Sequence, residues 1–394
     1  MSGARQISLF FALRVAVALL MAIGATNIAA ERDAEDGRET LGSSNDVDSN
    51  SMSGGDRMSE SKVRDIVRVR RLHPGGTIGV IAPGSPVTLQ EETIRRAYDR
   101  LRALGFTIIE ASQCRTVRGH TAGSAEERAR AIHCFLEDPK VDAIMSFWGG
   151  YQTHQILEHL DFQLFARHPK PIIGYSDMTA LTVAVHARTG VVTFSGPAVI
   201  TFAKPDLPSY TWDVFSKVLI EGQDQVVLHQ SGEFSDNPWF AHPEGLMVYR
   251  QTPAWRALRG GVARGPLLAG NLGVLLLLSG TSYWPDLRGR ILVVEEDEVE
   301  TPETIDRMFT QLRQIGVFDQ IAGLAVGRLP SAVRFTDDDT LDSIVMDATR
   351  GYNFPIVVNL DYGHTDPLLT LPLGVDAQLD AELCSLILLE RGVE

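Results

Sequence analysis

From Thr77 to Arg188, short apolar runs alternate with stretches whose apolar residues share one helical face, and this alternation limits the fold more than any other feature. Thr77-Ile78-Gly79-Val80-Ile81-Ala82 is an apolar run closed by Pro83-Gly84, the pattern of a buried strand. Ile94, Ala97, Leu101 and Leu104 then fall on one face of a helix that Gly105 stops. The pattern recurs. Strands are predicted over Phe106 to Ile109, Asp142 to Phe147 and Pro171 to Gly174, and helices over Ser124 to Leu136 and Met178 to Arg188. Strands alternating with helices predict a mostly parallel sheet covered on both faces. Ligands of such sheets bind beyond the carboxyl ends of the strands, where Gly149-Gly150 and Ser176 fall.

Residues 203–255 read differently, with five prolines (Pro205, Pro208, Pro238, Pro243, Pro253), several aromatics and no sustained periodicity. This segment is expected to connect two domains and to offer a loop to the substrate. Regular elements resume near Gly260, with strands at Ile291–Val294 and Ile356–Val358 and a helix around Thr304 to Ile315. The expected boundaries are 68–202 for an N-terminal domain, 203–259 for the connection and 260–394 for a C-terminal domain. A chain of 394 residues is long enough for two domains.

The start of the chain has another composition. Arg5 and Arg14 are its only charges before Glu31, Val15 to Ile23 is almost purely apolar, and Ala29-Ala30 follow. That is the layout of a secretory signal peptide over residues 1–30, which predicts export to the periplasm or the exterior. Arg14 within the apolar stretch leaves an organellar transit peptide as the alternative. Residues 31–67, rich in Ser, Asp, Glu and Gly, lack the apolar side chains needed to offset ordering entropy, so a disordered linker is expected. The apolar stretch is short for a membrane span, and no stable insertion is expected once the leader is removed.

A net charge of −14 argues against a nucleic-acid polymer as partner, because such binders present a basic face. The three cysteines, Cys114, Cys134 and Cys384, cannot all pair within one chain, and spacing leaves a Cys114–Cys134 bridge open. No C-x-x-C, H-E-x-x-H, G-x-x-x-x-G-K-[ST] or post-strand G-x-G-x-x-G motif occurs, so neither a metal nor a cofactor is expected.

Three stretches carry candidate chemistry. Gly174-Tyr175-Ser176-Asp177 lies between a strand and a helix, where a serine hydroxyl would sit beside free N–H groups able to stabilise an oxyanion. A plain helix cap fits that serine too. Met178 stands where the G-x-S-x-G elbow would have its second glycine. Glu295 ends a strand and could orient an imidazole, though Glu295–Glu298 also fits a solvated acidic turn. His364, in Asp361-Tyr362-Gly363-His364 just after another strand, has the side chain suited to a general base, and a solvated loop histidine is the alternative.

Taken together the pieces resemble the LD-carboxypeptidase family, and within it the branch of microcin C immunity peptidases, from about Arg71 to the C-terminus. Further matching stretches are Ile81-Ala82-Pro83-Gly84-Ser85, Gly149-Gly150-Tyr151, Thr193-Phe194-Ser195-Gly196-Pro197, Ile291–Glu296, Asp361–Pro367 and Leu371-Pro372-Leu373-Gly374. The resemblance implies a flavodoxin-like parallel-sheet N-terminal domain carrying the serine. It also implies a smaller mixed α/β C-terminal domain carrying the acid and the histidine. Ser176 would be the nucleophile, His364 the general base and Glu295 its orienting acid. The N–H groups of Asp177 and of the Gly149-Gly150 turn, at Gly150, would form the oxyanion hole.

Departures from the family are Trp148, where many members have arginine before the Gly-Gly turn, and Ala269-Gly270-Asn271 in place of Gly-Gly-Asn. Asn271 remains a substrate-binding candidate. Ser235–Phe240 is similar to a loop of the immunity branch in which a tryptophan stacks on a nucleoside. Trp239 is thus either a stacking platform or a packing residue. The implied function is cleavage of an amide bond in a small peptide or peptidyl-nucleotide, either a murein L,D-peptide or an aminoacyl nucleotide analogue. A peptide- or nucleotide-binding protein without turnover is the competing reading, and a homodimer is left open.

Overall fold

A computed structural model describes residues 66–237, 239 and 247–394. The expected leader and residues 31–65 of the expected linker lie outside the described residues. Within them the first alternation forms strands β1 (Thr77–Ile81), β2 (Thr107–Glu110), β3 (Ala143–Ser146), β4 (Ile172–Gly174) and β5 (Phe194–Ser195). They are parallel and ordered β2-β1-β3-β4-β5, the flavodoxin-like arrangement. Four of the five residues of β1 are buried without alternation, because helices cover both faces of the sheet.

The helices between them are α1 (Glu91–Ala103), α2 (Ala125–Glu137), α3 (Phe162–Arg167) and α4 (Thr179–Thr189). α2 begins with a capping box in which the Ser124 hydroxyl accepts from the Glu127 N–H and the Glu127 carboxylate accepts from the Ser124 N–H. α4 is buried from Thr179 through His186 because it packs on β4 and also on the second sheet.

That second sheet has eight strands. Its centre is the parallel set β10 (Val262–Asn271), β11 (Ile291–Glu295), β12 (Gly323–Gly327) and β13 (Ile356–Leu360), in that order. Antiparallel strands flank it: β15 (Asp376–Asp380), β16 (Ser385–Leu388) and β6 (Val226–Leu228) beyond β10, and β9 (Arg256–Arg259) beyond β13. Among the described residues, further α-helices are α5 (Ser209–Phe215), α6 (Leu272–Leu277), α7 (Pro302–Gln314) and α8 (Leu341–Ala348).

Two features depart from a bead-on-string reading. The segment 203–259 is more than a connection, since β6 and β9 from it form both edges of the second sheet. It also holds a short hairpin of β7 (Glu233–Phe234) and β8 (Arg250–Gln251). Late in the chain, β14 (Leu371–Pro372) returns to the first sheet and pairs antiparallel with β5. Among the described residues no helix is long and apolar enough to cross a membrane. Cys114 is buried, Cys134 exposed and Cys384 half-buried, and none is paired, so the bridge left open by the sequence does not form.

Candidate active site

Ser176 follows β4 with φ +63°, a left-handed conformation that costs a non-glycine residue of order 1–3 kcal/mol and marks a constrained turn. Three features hold this turn. Met178 is fully buried, so the position that lacks the elbow glycine anchors the turn in the core instead. Asp177 is 1% exposed, and its Oδ2 accepts from the Thr153 N–H at 2.8 Å and the Thr153 hydroxyl at 2.7 Å. Gly149 lies against the serine: a Cβ there would be 2.9 Å from Ser176 Oγ and 3.1 Å from Asp177 N. Any side chain at 149 would fill the space beside the hydroxyl.

The neighbouring backbone is fixed from behind. The Gly149 carbonyl accepts from the Ser85 N–H at 3.4 Å, and peptide planarity then aims the Gly150 N–H the opposite way. Trp148 donates its indole N–H to the Ser85 carbonyl at 3.0 Å. Buried Arg128 bonds the carbonyls of Pro83 and Gln152, bracing both loops at once. Sequence reasoning missed Arg128 because it sits mid-helix with no motif around it.

The other half of the site comes from the second sheet. Glu295, the last residue of β11, is 2% exposed. Its Oε2 lies 2.7 Å from His364 Nδ1. With Nδ1–H donating to Glu295, the free Nε2 is the ring nitrogen able to exchange a proton. Burial pulls the His364 pKa down, but Glu295, followed by Asp297 and Glu298, outweighs it and raises it to about 9. The His364 ring also lies against Tyr175, the residue before the serine, with ring centroids 5.1 Å apart. The two halves therefore meet at the Tyr175–Ser176 turn.

β12 stands between β11 and β13, so the loop after β13 must cross its end to reach Glu295. Gly327, at that end, leaves the gap: a Cβ there would sit 2.1 Å from the Tyr362 carbonyl oxygen and 3.0 Å from Glu295 Cβ. No sequence motif surrounds Gly327, and only its position opposite the His364 loop reveals the constraint.

Gly150, Ser176, Asp177, Asn271, Glu296 and Asp297 line a cavity of about 190 Å³. Asn271 is on its wall, but its side chain is already engaged: Oδ1 caps α6 through the Val274 N–H at 3.0 Å, and Nδ2 donates to Glu296 at 2.9 Å. Its backbone N–H donates to Thr179 Oγ1 at 2.8 Å, which joins the second sheet to α4. Glu296 is buried, and burial, with Glu295 beside it, pushes its pKa up to about 8. Glu296, Asp297 and Glu300, all lining the cavity, each bring an oxygen within 4.8 Å of the others, an arrangement suited to a cation. Trp239 is 6% exposed, packs into the hydrophobic core and is not among the cavity-lining residues.

Comparison with known proteins agrees with this architecture. The LD-carboxypeptidase N-terminal domain matches residues 78–196, and the LD-carboxypeptidase C-terminal domain matches residues 264–379. The microcin C7 self-immunity protein MccF of Escherichia coli is 30% identical, over 78% of this chain and 92% of that protein. A Bacillus subtilis protein named "Probable murein peptide carboxypeptidase" is 31% identical, over 82% of this chain and 94% of its own. A structure of MccF in complex with aspartyl sulfamoyl adenosine matches with a TM-score of 0.78 at 27% identity, covering 83% of this chain and 100% of that one.

The crossing at Gly327 is open to test. Gly327→Ala is expected to push the His364 loop off Glu295, so that the imidazole pKa falls from about 9 toward the ordinary ~6.5. Titration of the histidine ring signals by NMR reads this directly. An unchanged titration would mean that the loop does not depend on the gap.

Proposed function

Because the chain belongs to the LD-carboxypeptidase family of serine-type carboxypeptidases, we propose that it removes the C-terminal residue of a small L,D-peptide through an acyl-enzyme on Ser176. The observation that carries this reading is the 2.7 Å contact of Glu295 with His364 Nδ1, beside the strained Ser176 turn. His364 Nε2 takes the Ser176 proton as Oγ attacks the scissile carbonyl. The N–H groups of Asp177 and Gly150 stabilise the resulting oxyanion. His364 then protonates the leaving amine, and a water activated by the same ring releases the acid. With residues 1–30 read as an export leader, the enzyme would meet murein peptides outside the cytoplasm.

A second reading, hydrolysis of an aminoacyl nucleotide, is favoured by the likeness to MccF in complex with aspartyl sulfamoyl adenosine. For a base to stack on Trp239, that buried ring would have to leave the core. The acidic cavity wall also disfavours an acyl group bearing a carboxylate. It complements one bearing an amine.

Two outcomes are expected. His364 must be neutral to act as base, so kcat/KM should rise with pH and reach half its plateau near pH 9. Glu295→Gln should move that midpoint down and lower the plateau by about 10²–10⁴-fold. A flat profile between pH 6 and 10 would exclude His364 as the base. Second, a peptide ending in L-Lys-D-Ala should release D-Ala about tenfold or more faster than one ending in L-Glu-D-Ala, since ~1.4 kcal/mol of charge complementarity is tenfold. Ser176→Ala should abolish release from both. Equal rates would remove the charge argument, and serine-independent release would remove the mechanism.

A further inference from the structure

The loop that carries His364 is anchored on both sides by buried ion pairs. Three residues before it, Asp361 is 0% exposed and its carboxylate receives four contacts. The Ser231 N–H donates at 2.8 Å, the Ser231 hydroxyl at 2.7 Å, and the Trp255 indole N–H at 2.9 Å. Arg328 Nη1 lies 2.8 Å away. Two residues after His364, Asp366 pairs with Lys204, and its backbone exchanges hydrogen bonds of 2.9 and 2.7 Å with Ser235.

All of these partners except Arg328 lie within residues 204–255, the segment with no periodicity of its own. Arg328 follows Gly327 at the end of β12, and its guanidinium lies 4.9 Å from the centroid of the Phe234 ring in the β7–β8 hairpin. The same segment thus holds Asp361 directly and Arg328 through Phe234.

Such a buried pair is a poor source of stability, because desolvation offsets most of its attraction and well-packed apolar residues commonly do as well. What it supplies is one fixed geometry. A displacement of about 1 Å at a catalytic base can cost about 10²-fold in rate. We propose that Asp361 and Arg328, together with the Ser231 and Trp255 donors, are positioning residues that hold His364 on Glu295. The segment 204–255 thereby sets the catalytic competence of a histidine it does not contain. The inference rests on the hydrolase reading above only for its kinetic readout.

Trp255→Phe and Ser231→Ala each remove one donor from Asp361 while leaving the Asp361–Arg328 pair intact. In folded protein each is expected to lower kcat about tenfold with KM changed less than twofold. Each should also move the NMR titration midpoint of His364 downward. Glu295 from β11, Asp297 and Glu298 from the turn after it, and Tyr175 from the serine turn still face that ring and stay unchanged. Arg328→Lys, which keeps the charge, should retain more kcat than Arg328→Met at a similar unfolding midpoint. Native-like Trp255→Phe and Ser231→Ala proteins with unchanged kcat and unchanged His364 titration would overturn the proposal. Absence of serine-dependent turnover in the unaltered enzyme would overturn the hydrolase reading instead, and the His364 titration would still decide the positioning claim.

Discussion

Glu295 ends β11 and His364 follows β13, two strands that do not touch. β11 and β13 are separated by β12, and the 2.7 Å contact between the two side chains exists only because the loop after β13 folds across the end of the intervening strand. Gly327 makes the crossing possible, Asp361 and Asp366 tie the loop down on either side of the histidine, and buried Tyr362 shares a 2.6 Å hydrogen bond with Ser195 of the first sheet. A carboxylate buried at the end of a strand would be expensive without a partner. The histidine supplies that partner, and the carboxylate in turn fixes the tautomer and raises the basicity of the ring.

The candidate catalytic groups are divided between two sheets, so their geometry depends on how the sheets are joined. Ser176 belongs to the first and its candidate base to the second. α4 lies between them, β14 carries the late chain back to pair with β5, and the Asn271 N–H to Thr179 hydroxyl bond fastens the end of β10 to the first turn of α4. Asn271 is part of this joint and also lines the cavity in front of Ser176. The cavity in front of Ser176 carries several carboxyl groups, and burial raises the pKa of Glu296 and Asp297, a charge balance that a cationic substrate group would relieve.

Much of this could be read from the sequence because local patterns encode it. Strand-helix alternation predicts the parallel sheet, and Ser176, Glu295 and His364 each follow or end an apolar run, where a strand presents its carboxyl end to a ligand. The rest depends on long-range pairing. The edge strands Val226–Leu228 and Arg256–Arg259 pair with residues far along the chain and lack apolar alternation long enough to stand out. Asp361 and Ser231 are 130 residues apart, and Gly327 stands out only for what passes over it. Local similarity left Trp239 as either a stacking platform or a packing residue, and the ring is 6% exposed against the core.

The central claim is that Ser176 is an activated nucleophile served by His364. Reaction with a fluorophosphonate, followed by peptide mass mapping, tests it without assuming a substrate. A single phosphonyl adduct on Ser176 is predicted, formed faster as pH rises through about 9 and lost in Ser176→Ala. No adduct across that range, or an adduct on another serine, would contradict the account.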